Sequence, residues 1–192
     1  LNISVIGEFS TGKSSFINAL VGYELLAVNV IQGTTVAITI IEYSKQFSIT
    51  LTDFSGKSLK IIFKSIDSLR QQLHIYTTDA AYAKKIDYVT VTLPSDILKN
   101  GYRIIDTPGT NSLELWHEEV TCRAIKELSD LSIILTDSTQ PMPATLVSFL
   151  DNTLGDSVES CAFVANKIDR IGDKERDGII KFIGKKICQS FD

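Results

Sequence analysis

Cysteine is scarce in this chain and histidine scarcer. Cys122, Cys161 and Cys188 stand far apart with no CxxC pair, so neither a disulfide framework nor a cysteine-based zinc site is indicated, and a reducing compartment such as the cytoplasm fits. His74 and His117 have no second histidine, cysteine or carboxylate at ligand spacing, so both read as ordinary helix or surface residues. No apolar run approaches the length of a membrane span, and no charged-then-apolar signal segment is present. Positive charge is not in excess either. With 19 Lys and Arg against 23 Asp and Glu, the formal net charge is −4, which gives no overall attraction to nucleic acid or to an anionic membrane. Lys181, Lys185 and Lys186 cluster locally and read as the solvated face of a helix.

What is present is enough apolar residue for one sizeable core. The 192 residues are 44% hydrophobic, and nothing in them requires a second domain. The stretch Gly7-Glu8-Phe9-Ser10-Thr11-Gly12-Lys13-Ser14-Ser15 fits GxxxxGKS. It lies between the β-branched run Leu1 to Ile6 and a helical pattern from Lys13 to Val21, in which Phe16, Ile17, Leu20 and Val21 share a face and Gly22 serves as C-cap. Gly7 and Gly12 let the backbone curl so that successive N–H groups point at an anion on the positive end of the following helix. Lys13 then reaches the β- and γ-phosphates, and the Ser14 hydroxyl is placed to ligate a bridging Mg²⁺.

Tyr23 to Gln32 shows no clear period, as expected of a mobile loop that gains order from a ligand. It runs into Gly33-Thr34-Thr35, where a threonine hydroxyl can complete the Mg²⁺ shell and sense the γ-phosphate; Thr35 is preferred to Thr34. Val36 to Tyr43, Phe47 to Thr52 and Ser58 to Phe63 read as three strands of an antiparallel patch, with a turn at Gly56. Helical spacing follows from Ser65 to Leu73, with a second short helix over Asp79 to Lys85. Ile86 to Leu93 alternates and stops at Pro94, and Asn100-Gly101 turns the chain into the buried strand Tyr102 to Ile105.

That strand ends in Asp106-Thr107-Pro108-Gly109. An aspartate leaving a strand beside a phosphate loop can hold a Mg²⁺-bound water, and the Gly109 N–H can donate to the γ-phosphate. A helix is expected over Glu114 to Leu128, a strand over Leu131 to Thr136, a loop at Pro141 and Pro143, a helix over Ala144 to Asn152, and a strand over Cys161 to Ala165. The last strand runs into Asn166-Lys167-Ile168-Asp169. A carboxylate at Asp169 accepts both the N1 and N2 protons of guanine, whereas adenine offers no such donors and would leave a charge unpaired. Asn166 and Lys167 support the ring. In this order the three motifs read as a GTP-binding domain.

The segments GEFSTGKSS, GTT, LPSDILKNGYRIIDTPG, STQPMP and NKID resemble the GTPase domains of dynamin-like proteins, specifically bacterial ones, across nearly the whole chain. The 71 positions from Thr35 to Asp106 are the discriminating feature, since Ras-like GTPases cross that interval with a short hairpin. Translation- and tRNA-modification-type GTPases, which share GTT and DTPG, are the runner-up. Two features depart from the pattern: Phe9 stands where eukaryotic dynamins resemble one another in carrying Gln, and the base-contacting motif expected after NKID is not visible.

The resemblance implies a P-loop GTPase three-layer α/β sandwich with a mainly parallel sheet and an antiparallel extension. It implies one GTPase domain over residues 1–192, trimmed at both ends from a longer membrane-remodelling protein. Expected functions are Mg²⁺-dependent GTP hydrolysis to GDP and phosphate, nucleotide-dependent homodimerisation, and peripheral membrane attachment through regions outside this chain, without nucleic acid. A GTP-gated assembly module with incidental hydrolysis is the rival. Thr110 follows Gly109 where Ras-type enzymes carry Gln, so Ser10, Lys13 and Thr35 are the expected catalytic groups, and Ser10 resembles the serine with which dynamins hold a charge-compensating K⁺ or Na⁺.

Overall fold

The computed structural model describes residues 1–28, 37–79, 82, 85–108, 121–151 and 161–191. One eight-stranded sheet runs through them in the order β4-β3-β5-β2-β6-β1-β7-β8. Its strands are β1 (Asn2–Ile6), β2 (Ile38–Tyr43), β3 (Phe47–Asp53), β4 (Ser58–Phe63), β5 (Ile86–Leu93), β6 (Arg103–Asp106), β7 (Leu131–Asp137) and β8 (Cys161–Asn166). The helices are α1 (Lys13–Val21), α2 (Ile66–Thr78), α3 (Ala144–Phe149) and α4 (Asp173–Phe191), with a π-helical turn at Ala124–Leu128.

The central strands are apolar on both faces, so they need cover on both. Val5, Ile104 and Leu135 face one side, where Ile17 and Val21 of α1 cover them, and Leu69 and Leu73 of α2 extend the same core over β3 and β4. Their neighbours Ile6 and Ile134 face the other side, against Leu146 and Phe149 of α3 and Ile183 of α4. This is the three-layer α/β sandwich anticipated from the motifs. β1 pairs in parallel with both β6 and β7, and β7 with β8. The loops after these four strands therefore leave the sheet at one edge, the carboxyl edge where ligands bind in open α/β sheets.

The antiparallel extension is present in the β3·β4 and β3·β5 pairs. Its order differs from a simple run of hairpins, because β5 lies between β3 and β2 and pairs with β2 in parallel. Burial explains the insertion. Val89, Val91 and Leu93 of β5 are fully buried and need a neighbour on each side, whereas β4, with Leu59 and Ile62 more than half exposed, tolerates the edge.

Local signals hold at the helix ends. Gly22 adopts φ 77° and its N–H donates to the Asn18 carbonyl; Ser65 caps α2 by accepting from the Ser68 N–H. The expected mobile loop is anchored at its start. Asn18 Oδ1 accepts from the N–H groups of Leu25 and Leu26 at 3.1 and 2.8 Å, and its Nδ2 donates to the Leu26 carbonyl at 2.9 Å. Both leucines are buried, so the apolar pair Leu25-Leu26 packs even though the segment lacks a period. Gln32, Thr34 and Thr35, most of the proposed Asp79 to Lys85 helix, and the first half of the Glu114 to Leu128 helix, with Trp116 and His117, lie outside the described residues.

Candidate nucleotide site

β1 delivers the chain into the 7–15 loop at the sheet's carboxyl edge, and α1 carries it away from there. Two glycines make the curl possible for steric reasons. A Cβ on Gly7 would stand 2.7 Å from the Leu135 carbonyl oxygen, and one on Gly12, whose φ is +95°, would stand 2.4 Å from Asn166 Nδ2. Ser10 also adopts a positive φ, 62°, unusual for a residue with a side chain. Thr11 closes the turn, its hydroxyl donating to the Glu8 carbonyl at 2.9 Å. The Lys13 ammonium folds back to donate to the carbonyls of Gly7 and Glu8 at 2.7 and 2.9 Å.

Asp106, at the end of β6, lies in register with Val5 and is 1% exposed. Burial pushes its carboxyl up to about 6, with Lys13 pulling the other way. Burial likewise pushes the Lys13 ammonium down to about 8, opposed by the charges of Asp106 and Glu8. Asp106 Oδ2 is buried and has no hydrogen-bond partner. A buried carboxylate oxygen without a donor calls for one. Beside a phosphate loop, that requirement suits a water of a Mg²⁺ shell, a hard cation that keeps most of its waters. Ser14 lies in the first turn of α1. The residues present thus fit the metal.

The third motif grips the first. Asn166 Nδ2 donates to the Thr11 carbonyl at 2.7 Å, and Lys167 Nζ donates to the Ser10 carbonyl at 2.5 Å. Lys167 has φ 58°, and Asp169 is exposed in the following turn. The structure therefore brings Gly7, Glu8, Ser10, Thr11, Gly12, Lys13, Asp106, Asn166 and Lys167 into one assembly. Phe9 is about half exposed beside it, and Ser15 is exposed on α1. Thr35 and Gly109 lie outside the described residues.

Two supporting residues escaped the sequence reading. Asp137, at the end of β7, accepts from Lys167 Nζ at 2.6 Å through Oδ2 and from the N–H and hydroxyl of Thr139 through Oδ1. Although burial works against it, these donors hold its carboxyl below the usual range. The only hint in the sequence is a charged residue closing the apolar run Leu131 to Leu135. Thr145 of α3 donates to the Glu8 carboxylate, tying the loop to the opposite layer; no spacing rule links those two positions.

The sequence matches the dynamin-family model over residues 3–168. The chain belongs to the dynamin family. The match identifies it as GTPase domain of that family and sets aside the translation- and tRNA-modification-type alternative. An uncharacterised protein from a Caldicellulosiruptor strain is 29% identical over 93% of this chain and 42% of its own length. A bacterial dynamin-like protein from Nostoc punctiforme is 28% identical over 87% of this chain and 24% of its own. The chain thus spans less than half the length of these relatives. In fold, it superimposes on a solved oligomerised bacterial dynamin pair with TM-score 0.67 at 22% identity, covering 100% of this chain and 29% of that one. Aquifex aeolicus Era bound to GDP and AlF4⁻ gives 0.55 at 18% identity, covering 96% and 46%.

Proposed function

We propose that this dynamin-family domain binds GTP with Mg²⁺ and hydrolyses it to GDP and phosphate. The observation that carries the reading is the double grip of Asn166 and Lys167 on the carbonyls of Thr11 and Ser10, which couples a base-recognition loop to a phosphate loop. Inward-facing N–H groups of Gly7 to Ser15 hold the phosphates. Lys13 exchanges its two carbonyl acceptors for β- and γ-phosphate oxygens, which satisfy a buried ammonium better than neutral carbonyls do. Asp169 takes the guanine edge. Ser14, Thr35 and Asp106 hold the Mg²⁺ shell, and the metal supplies charge neutralisation on the phosphates.

No glutamine follows Gly109, so backbone groups around Thr35 position the water, while the Gly109 N–H donates to the γ-phosphate. Ser10 helps hold K⁺ or Na⁺ in place of an arginine. In this reading residues 1–192 are one module of a longer membrane-remodelling protein of the cytoplasm, attached to a membrane by other regions. Among the described residues no helix is long and apolar enough to cross a membrane. Two copies face each other across nucleotide, and the net charge of −4 gives no overall attraction to nucleic acid.

Multiple-turnover phosphate release at several protein concentrations, with Mg²⁺ and with EDTA, tests this. Turnover per chain that needs Mg²⁺ and vanishes in Lys13→Ala is expected. Binding without turnover at any concentration would favour the assembly-module rival.

A further inference from the structure

Among the described residues three buried side-chain oxygens or nitrogens lack a hydrogen-bond partner: Thr39 Oγ1, Asp106 Oδ2 and Ser138 Oγ. The first two are neighbours. Thr39 of β2 stands directly opposite Asp106 of β6 in the antiparallel register, and residues so paired place their Cβ atoms about 5 Å apart on one face of a sheet. That face carries the next pair along the ladder, Ile41 and Ile104, into the core beneath α1. Thr39 is 0% exposed, so bulk water does not satisfy its hydroxyl. In a strand so apolar, valine would avoid the cost of an unpaired buried hydroxyl. Two orphan acceptors facing the same small space match the two protons of a single strongly polarised water.

We propose that Thr39 is a positioning residue for the metal shell, its Oγ1 accepting from the Mg²⁺-bound water that Asp106 Oδ2 also holds. The inference rests on the Mg²⁺–nucleotide reading above and extends it to β2, the strand that follows the Thr34-Thr35 segment. Metal-bound water donates both its protons strongly, and second-layer acceptors of this kind commonly set metal affinity by tenfold or more. The hydroxyl then costs stability in the empty protein and contributes only when metal and nucleotide are bound.

The test uses fluorescently labelled mant-GDP and buffered free Mg²⁺ on the parent, Thr39→Val, Thr39→Ser and Asp106→Ala, alongside thermal unfolding of each nucleotide-free protein. Thr39→Val is expected to need about tenfold more free Mg²⁺ to slow mant-GDP release. Thr39→Ser should stay near the parent. The nucleotide-free Thr39→Val protein should melt no lower than the parent, and up to roughly 3 °C higher, because the orphan hydroxyl is gone. A purely structural role would move both readouts in the same direction. A Thr39→Val midpoint equal to the parent's, with Asp106→Ala shifted, would overturn the role of Thr39 while leaving the nucleotide reading standing. A parent whose mant-GDP release ignores Mg²⁺ would overturn both.

Discussion

The Asn166 amide nitrogen, 2.7 Å from the Thr11 carbonyl, occupies the space that a Cβ on Gly12 would enter, at 2.4 Å. Absence of a side chain at one end of the molecule and presence of an amide 154 positions later are therefore one feature. It holds the phosphate loop in shape before any ligand arrives, which lowers the ordering cost of binding.

Gly12→Ala tests this against a control at the other end of α1. Gly22 also adopts a left-handed φ, 77°, but has nothing within 4 Å of its Cβ position. Both substitutions carry the left-handed penalty of about 1–2 kcal/mol, and only Gly12→Ala adds the collision with Asn166. Thermal unfolding should show Gly22→Ala modestly destabilised with mant-GDP binding intact. Gly12→Ala should melt lower still and lose binding. Equal behaviour of the two would mean that the Asn166 contact is incidental.

Asp169 gives the second expectation. Its carboxylate is exposed in the turn after Lys167, free to meet the donor edge of guanine. Asp169→Asn should weaken GTP binding and shift preference toward xanthine nucleotide, whose oxygen replaces the N2 amino group and can accept from the new amide. Calorimetry with both nucleotides measures the switch; unchanged GTP affinity would remove Asp169 from the base site.

The motifs were legible because each depends on local backbone chemistry. Gly12 and Gly22 announce tight turns, and the consecutive apolar residues Val5 and Ile6 at the end of a β-branched run announce a buried strand. What stayed hidden depends on partners distant in sequence. Asp137 meets Lys167, Thr145 meets Glu8, and Thr39 meets Asp106 only because the sheet order is β5-β2-β6-β1-β7-β8. That order was out of reach, since β5 reads as one more strand until its burial forces it between β3 and β2. Leu25 and Leu26 show no sequence signal for a similar reason, because their order comes from the Asn18 side chain rather than from periodicity.

Buried charges at Lys13 and Asp106 make the stability of the protein free of nucleotide and metal depend on pH in two windows. Asp106 is raised from 3.8 to about 6, so the folded state holds its proton more tightly, and its contribution is lost as pH rises from about 4 to 6. The size is on the order of 3 kcal/mol. Lys13 is lowered from 10.5 to about 8, so the unfolded chain binds more protons between those values and stability rises again from pH 8 to 10.5. Denaturant unfolding across pH should show a fall, a plateau and a recovery. Asp106→Asn should remove the fall at acid pH and start the recovery at lower pH, because the carboxylate that raises the Lys13 ammonium is gone; an acid limb that survives the substitution would place its origin elsewhere.

Asp137 should matter for nucleotide retention in general. It holds Lys167 Nζ at 2.6 Å, and both side chains are 20% exposed, so removing it leaves a half-buried ammonium with the Ser10 carbonyl as its remaining acceptor. Asp137→Ala is expected to weaken GDP and GTP about equally, by roughly tenfold, through faster release. Asp137→Asn, which can still accept, should lose less. Stopped-flow displacement of mant-GDP and mant-GTP gives both rates. A loss confined to GTP would show that the residue acts at the γ-phosphate instead.

Activation of the water depends on Ser10 in this reading. Its carbonyl is already engaged by Lys167, its backbone is left-handed at φ 62°, and its side chain is exposed on a cleft of about 180 Å³ that also touches Phe9, Asp137 and Gln140. Ser10 is thus exposed in the phosphate loop, and a monovalent cation held by its hydroxyl would offset charge developing between the β- and γ-phosphates. Low basal hydrolysis is expected, rising with protein concentration as a second copy orders the site, and rising with K⁺ over a large inert cation. Two substitutions separate hydroxyl from backbone. Ser10→Ala removes the oxygen and keeps the strain, while Ser10→Gly removes the oxygen and relieves the strain. If the hydroxyl holds the cation, both lose most of the K⁺ response, and Ser10→Gly gains thermal stability without regaining activity. If the loop's strained shape is what matters, Ser10→Ala keeps its K⁺ response and only Ser10→Gly loses it. Fast hydrolysis by dilute protein without K⁺ or Na⁺ would remove the cation from the mechanism and require a catalytic side chain elsewhere.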